Sequence, residues 1–176
     1  KEGYSFIKSP NYGGYSMEVG PLARLILAGE YNGGSSCMDR NVARVLEAKK
    51  IIKIMEGLSK RIKLLPNNQK VYSIPNESFG AGLIDTTRGA LGHWVKIENK
   101  LIKYYNIITP TVWNMSPKDK NGKFGIGEKA LVGTKIRNIK EPIEVGRILR
   151  SFDPCVSCAT HLISNKCELA YLKVLV

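Results

Sequence analysis

The densest group of reactive side chains lies near the C-terminal end of the chain, in Asp153-Pro154-Cys155-Val156-Ser157-Cys158-Ala159-Thr160-His161. Two thiols and one of the chain's 2 histidines fall inside this stretch. Asp153 followed by Pro154 suits a helix start, because a carboxylate accepts orphan backbone N–H groups and proline at the first helical position loses no hydrogen bond. A helix through the motif places the sulfurs of Cys155 and Cys158 on one side, about 60° apart, where both reach one metal ion. The positive end of the helix dipole favours thiolate, the form that binds metal. His161 then points about 120° away from Cys155 and suits a neighbouring ion. The same spacing admits other chemistry. A Cys-x-x-Cys redox pair needs a thioredoxin-like strand ahead of it, whereas a helical segment precedes this one. A structural zinc site needs four ligands, and Cys37, His93 and Cys167 are scattered without a second close pair. Two buried, inert cysteines are the third reading.

Three further segments stand upstream in fixed order: Glu18-Val19-Gly20-Pro21-Leu22-Ala23-Arg24, Arg88-Gly89-Ala90-Leu91-Gly92-His93-Trp94 and Pro110-Thr111-Val112-Trp113-Asn114-Met115-Ser116-Pro117. With the closing Asp-Pro-Cys-x-x-Cys-x-x-His, the chain from about Tyr12 to His161 resembles the C-terminal portion of the large, catalytic subunit of nickel-iron hydrogenases. The resemblance implies a nickel ion held by four cysteine thiolates, two of which bridge to an iron carrying cyanide and carbon monoxide. Matched by motif, Cys155 binds nickel and Cys158 bridges nickel and iron. Soft thiolates suit such a redox-active site. Arg88 corresponds to the family arginine over the metal pair, Thr111 to a hydroxyl that hydrogen-bonds a cyanide, and Pro110 to a residue lining the same pocket. His161 corresponds to a ligand of structural magnesium, assisted by a backbone carbonyl at a position resembling Ile107. The implied reaction is reversible splitting of dihydrogen into protons and electrons.

Two departures from the family stand out. Thr87 occupies the position where proline usually precedes the arginine. The family's N-terminal Arg-x-Cys-Gly-x-Cys motif and its nearby proton-passing glutamate do not occur, and Cys37 and Cys167 lack the spacing to replace them. The chain therefore supplies two of four thiolates, and as an isolated fragment it is expected to be inactive. The implied partners are the N-terminal part of the large subunit, an iron-sulfur small subunit that holds all the clusters, a maturation endopeptidase and nickel-insertion proteins. Residues 1–161 read as the C-terminal portion of the subunit. Residues 162–176, with an apolar run at Leu169, Tyr171, Leu172, Val174, Leu175 and Val176, read as a cleavable C-terminal extension. This implies a cytoplasmic precursor and a mature complex exported or membrane-associated through its partner. The competing reading is a stand-alone metal-binding or maturation module that uses Cys155, Cys158 and His161 without catalysis.

Positioning these residues requires an α+β fold, mostly helical. The strongest periodic signal is a long helix over about 37–64, opened by a capping box at Ser36 and Asp39, with Val42, Val45, Leu46, Ile52, Met55, Leu58, Ile62 and Leu65 as its apolar stripe and Pro66 as its stop. A short helix over 17–28, interrupted at Gly20-Pro21, precedes it. Residues 66–80 read as loop. A β-hairpin over about 91–109, turning at Asn99-Lys100, brings Arg88 toward Pro110-Thr111. Residues 113–123 read as turns, 124–132 as a short helix, and Pro142 opens a helix whose Val145, Ile148, Leu149 and Phe152 share a face leading to Asp153.

The chain has 176 residues, 43% of them hydrophobic, which is ordinary for one globular domain. Its net charge of +12 comes from lysines spread along the chain without interleaved aromatics, so a solvated basic surface is expected rather than a nucleic-acid site. The 4 cysteines do not form a disulfide scaffold pattern, and no apolar run of membrane-spanning length occurs.

Overall fold

The computed structural model describes residues 4–63 and 71–155. Among these described residues, five helices and three strands follow in the order α1 (Pro21–Leu27), α2 (Cys37–Ser59), β1 (Glu77–Thr86), β2 (Gly89–Glu98), β3 (Leu101–Ile108), α3 (Pro110–Asn114), α4 (Ile126–Leu131) and α5 (Ile143–Ser151). The α+β class and the excess of helix over strand agree with the sequence expectation.

The long helix opens where its capping box predicts. The Asp39 amide donates to Ser36 Oγ at 3.3 Å and the Ser36 amide donates to Asp39 Oδ2 at 2.8 Å, so two orphan donors are satisfied reciprocally. Hydrogen bonds from Ser36 and Tyr31 hold the Asp39 carboxyl down at about 2. The far end differs from expectation, because α2 stops at Ser59 and its buried residues are Arg40 and Ala43. As far as Ile62 the predicted apolar stripe is exposed, Val45 at 71% and Ile52 at 59%. The helix packs on α1 and α5 through its first half. Leu22 and Leu25 of α1 meet Ala43 there, with Tyr31 packed alongside.

The expected hairpin is the second half of a three-stranded antiparallel meander in the order β1-β2-β3. Strand β1 replaces the end of the expected loop. Gly80 and Gly82 lower its strand propensity and hide the alternation of Phe79, Ala81 and Leu83. Asn99 and Lys100 link β2 and β3 with φ of 53° and 61°, the double left-handed pair of a type I′ turn. A bulge at Lys96/Ile97 shifts the register beyond it. At the other end, His93 pairs with Ile107 and Gly92 with Ile108, after which Thr109 leads straight into α3. Its last two residues, Trp113 and Asn114, fall in the stretch expected as turn. Pro110 at its first turn supplies the helical φ.

Helix α5 begins after Pro142 and buries Val145 and Leu149, with Phe152 buried beyond its end. The helix expected to run through Cys155 and Cys158 lies for the most part outside the described residues. At its start Asp153 is left-handed, φ 54°, and Pro154 and Cys155 are not helical. The Asp153 carboxylate is paired with Arg88. Cys158, His161 and the extension 162–176 lie outside the described residues. Among the described residues no helix is long and apolar enough to cross a membrane.

Candidate metal centre

The turn between β1 and β2 consists of Thr87 and Arg88, closed by the Thr86↔Gly89 pair. Arg88 reaches from it to Asp153, two residues beyond the end of α5. Its Nε donates to the Asp153 carbonyl oxygen at 2.9 Å and lies 3.1 Å from Oδ2, while Nη2 donates to Oδ1 at 3.3 Å. Two segments 65 residues apart in sequence are thereby joined, and Cys155, exposed, follows two residues later.

Two glycines allow this approach. A Cβ on Gly20 would stand 2.9 Å from the Arg88 carbonyl oxygen, and one on Gly89 would stand 2.7 Å from the Gly20 amide nitrogen. Both also have φ near +120°, which side-chain-bearing residues rarely adopt. The backbone of the first motif thus lies directly on the backbone of the second. Arg24 fixes the same turn from α1. It binds Glu47 bidentately at 2.6 Å and Asp85 at 2.7 Å, and donates to the carbonyl oxygens of Thr86 and Thr87 at 2.9 and 3.1 Å. Hydrogen bonding to Glu47, then its charge, raises the Arg24 pKa above the ordinary arginine value against the opposing effect of burial.

Arg88 and Asp153 form one wall of a pocket that also takes in Glu18, Arg40, Arg44, Asn114 and Ser151. Asn114, buried in α3, accepts from the Val19 amide at 2.9 Å and donates to the Val19 carbonyl at 3.0 Å, tying the third motif to the first. Thr111 stands one turn earlier on the same helix, 7% exposed, and Pro110 is buried beside it. The expectation that Arg88 and the Pro110-Thr111 segment share one end of the sheet therefore holds. The residue of α3 that lines the pocket with Arg88 is Asn114. Glu18 and Asn114 stood inside the quoted segments without an assigned role, and Arg40, Arg44 and Ser151 escaped the sequence reading. The i,i+4 spacing of Arg40 and Arg44 was the signal available for that pair.

The other titratable candidates stand apart. His93 lies in β2 with Nδ1 2.5 Å from the Tyr105 hydroxyl. The Ile107 carbonyl accepts from Lys8 Nζ at 3.3 Å. Cys37 begins α2, far in sequence from the closing motif.

Among the described residues no three His, Cys, Asp or Glu side chains gather into a complete cation site. Of the predicted site residues they carry an exposed thiol at Cys155, a guanidinium at Arg88 in sequence-distant contact with Asp153, and a buried threonine, Thr111. An arginine next to a thiolate centre balances its negative charge, so the donor chemistry fits a nickel-iron group.

The sequence pattern of the nickel-dependent hydrogenase family matches residues 29–161, and the chain belongs to that family. It is 34% identical to the hydrogenase-1 large chain of Citrobacter freundii over 94% of its own length and 33% of that protein. To the uptake hydrogenase large subunit of Bradyrhizobium diazoefficiens it is 35% identical, covering 97% of itself and 34% of the relative. Its fold superposes on the reduced Ni-Fe-Se hydrogenase of Desulfovibrio vulgaris Hildenborough with a TM-score of 0.77 at 34% identity, over 86% of this chain and 37% of that one. The Desulfomicrobium baculatum Ni-Fe-Se hydrogenase gives 0.77 at 35% identity over 90% and 37%. The chain spans about a third of the length of the curated relatives it matches.

Proposed function

We propose that this chain is the C-terminal part of a nickel-iron hydrogenase large subunit and supplies half of the thiolates, Cys155 and Cys158, to a nickel-iron centre. The observation that carries the reading is the Arg88–Asp153 contact, which sets a turn-borne guanidinium beside the segment leading to Cys155. When bound, the nickel-iron group, with cyanide and carbon monoxide on iron, supplies the redox chemistry that takes dihydrogen to two protons and two electrons. The chain's own residues shape the surroundings. Asp153 holds the Arg88 fork through Nε and Nη2, so the charge is fixed rather than swinging in solvent. A fixed positive charge beside an electron-rich centre lowers the energy of charge separation without reorganisation. Thr111 offers a hydroxyl to a diatomic ligand on iron, and Pro110 excludes water beside it.

The remaining thiolates come from an upstream Arg-x-Cys-Gly-x-Cys segment in the N-terminal part of the subunit, and electrons leave through an iron-sulfur small subunit. His161 holds magnesium. Residues 162–176 are a cleavable extension removed by a maturation endopeptidase after nickel insertion, a reading supported by the family match ending at His161. Its check is the intact mass of the C-terminal peptide in subunit matured with and without nickel. Cleavage after His161 only with nickel is expected, and an extension retained in active enzyme contradicts it.

The central test of Arg88 is Arg88→Lys in the complete subunit. Lysine keeps the charge but loses the planar fork, so hydrogen oxidation falls by about 100-fold or more while nickel content is kept. Activity within a few-fold of the parent removes Arg88 from the mechanism.

A further inference from the structure

We propose that Arg40 and Arg44 of α2, with Glu18, form a positioning clamp that fixes the C-terminal end of α5 and thereby sets where Cys155 stands against Arg88. The inference rests on the metal-centre reading but concerns residues that reading does not use.

Arg40 is a charged side chain only 6% exposed. Glu18 meets it bidentately, Nε to Oε1 and Nη2 to Oε2, both at 2.8 Å. The flat guanidinium lies 3.8 Å over the Phe152 ring, and Nη1 reaches Ser151 Oγ at 3.4 Å. One turn along α2, Arg44 Nη1 donates to the Ser151 carbonyl oxygen at 2.6 Å. That oxygen is among the last carbonyls of α5, which have no partner within the helix, and a cation there also complements the helix dipole. Two arginines on one face of α2 therefore hold the two residues at which α5 ends.

On the far side, Arg88 holds the Asp153 carbonyl and carboxylate. Residues 151–153 are gripped between α2 and the β1–β2 turn. Little slack separates them from Cys155, since Pro154 has a fixed φ and Asp153 is committed to a left-handed conformation. A shift at the end of α5 therefore carries through to the thiol. Stability alone does not explain the device. A buried ion pair is a weak stabiliser compared with an apolar pair of equal volume, but it specifies one geometry. Lysine at position 40 could not satisfy Glu18, the Phe152 face and Ser151 together. These are positioning residues.

The test uses the complete subunit assembled with its small subunit, carrying Arg44→Met, Arg44→Lys, Phe152→Leu or Arg40→Lys. The first three leave the Glu18–Arg40 pair intact and keep the test valid if Arg40→Lys fails to fold. Readouts are nickel per subunit, the infrared bands of the diatomic ligands on iron, kcat and KM for hydrogen, and amide hydrogen exchange at Phe152 and Asp153. Residues that orient a metal ligand cost about 10–100-fold in metal affinity or activity when removed. A loss of that order is expected for Arg44→Met, in kcat more than KM, with shifted or broadened bands and faster exchange at the two amides. Arg44→Lys, which can still donate to Ser151, should recover most of it. Nickel content, bands, kcat and exchange equal to the parent in Arg44→Met and Phe152→Leu would overturn the clamp. A parent subunit without nickel would instead contradict the metal-centre reading, and the exchange rates alone would then decide the clamp.

Discussion

At the scale of single residues, short polar contacts mark the places where the chain commits to one geometry. Asp39 is the clearest. Its carboxyl, held at about 2 by Ser36 and Tyr31, releases its proton more readily in the helix than in the unfolded chain. Between pH ~4 and ~2 the unfolded form therefore binds more protons, so helix stability from this contact is full above ~4 and is lost as pH falls toward 2. A peptide spanning residues 31–60 should lose helicity by circular dichroism over that window, and Asp39→Asn should lose less of it. Identical acid limbs would remove the capping box from the account. The motifs named Arg88, Pro110, Thr111, Cys155, Cys158 and His161 as candidates by residue type, and the last two lie outside the described residues. Their supports were not legible. Glu18, Arg40 and Ser151 act through contacts 22 and 111 residues apart, and nothing local in the sequence records which arginine meets which carboxylate. Gly20 and Gly89 belong to the same class, since each looks like an ordinary turn glycine until the two backbones are seen to touch.

At the scale of elements, capping and proline signals located starts better than periodicity located ends. Ser36 and Asp39 opened α2 at Cys37, and Pro142 directly precedes α5 at Ile143. The apolar spacing over 42–65 predicts a helix to about 64, yet the helix ends at Ser59 and the stripe as far as Ile62 is exposed. Periodicity reports that a face is apolar, not what covers it. Strand β1 was missed because its glycines have no side chain to show alternation, and it is held by pairing with β2 rather than by its own propensity. At Asp153, the expected cap, the carboxylate meets a guanidinium brought by another element, and the motif helix beyond Cys155 lies outside the described residues.

At the scale of the whole molecule, the exposed apolar residues fit a chain that is about a third of its relatives' length. Phe79, Leu83 and Ile84 of β1, Ile102 and Tyr104 of β3 and the second half of α2 all stand open, a quantity of apolar surface that folded monomers rarely leave uncovered. On the proposed reading, two thiolates leave half of a four-ligand sphere to water, and such a site binds weakly. The direct measurement is metal per chain by mass spectrometry after chelator treatment, on the 176-residue chain alone and on the complete subunit matured with its partners. The account predicts that the isolated chain gives up its metal and the complete subunit keeps stoichiometric nickel and iron. Chelator-resistant, stoichiometric nickel or zinc on the isolated chain would contradict it, because the site would then be complete without upstream cysteines.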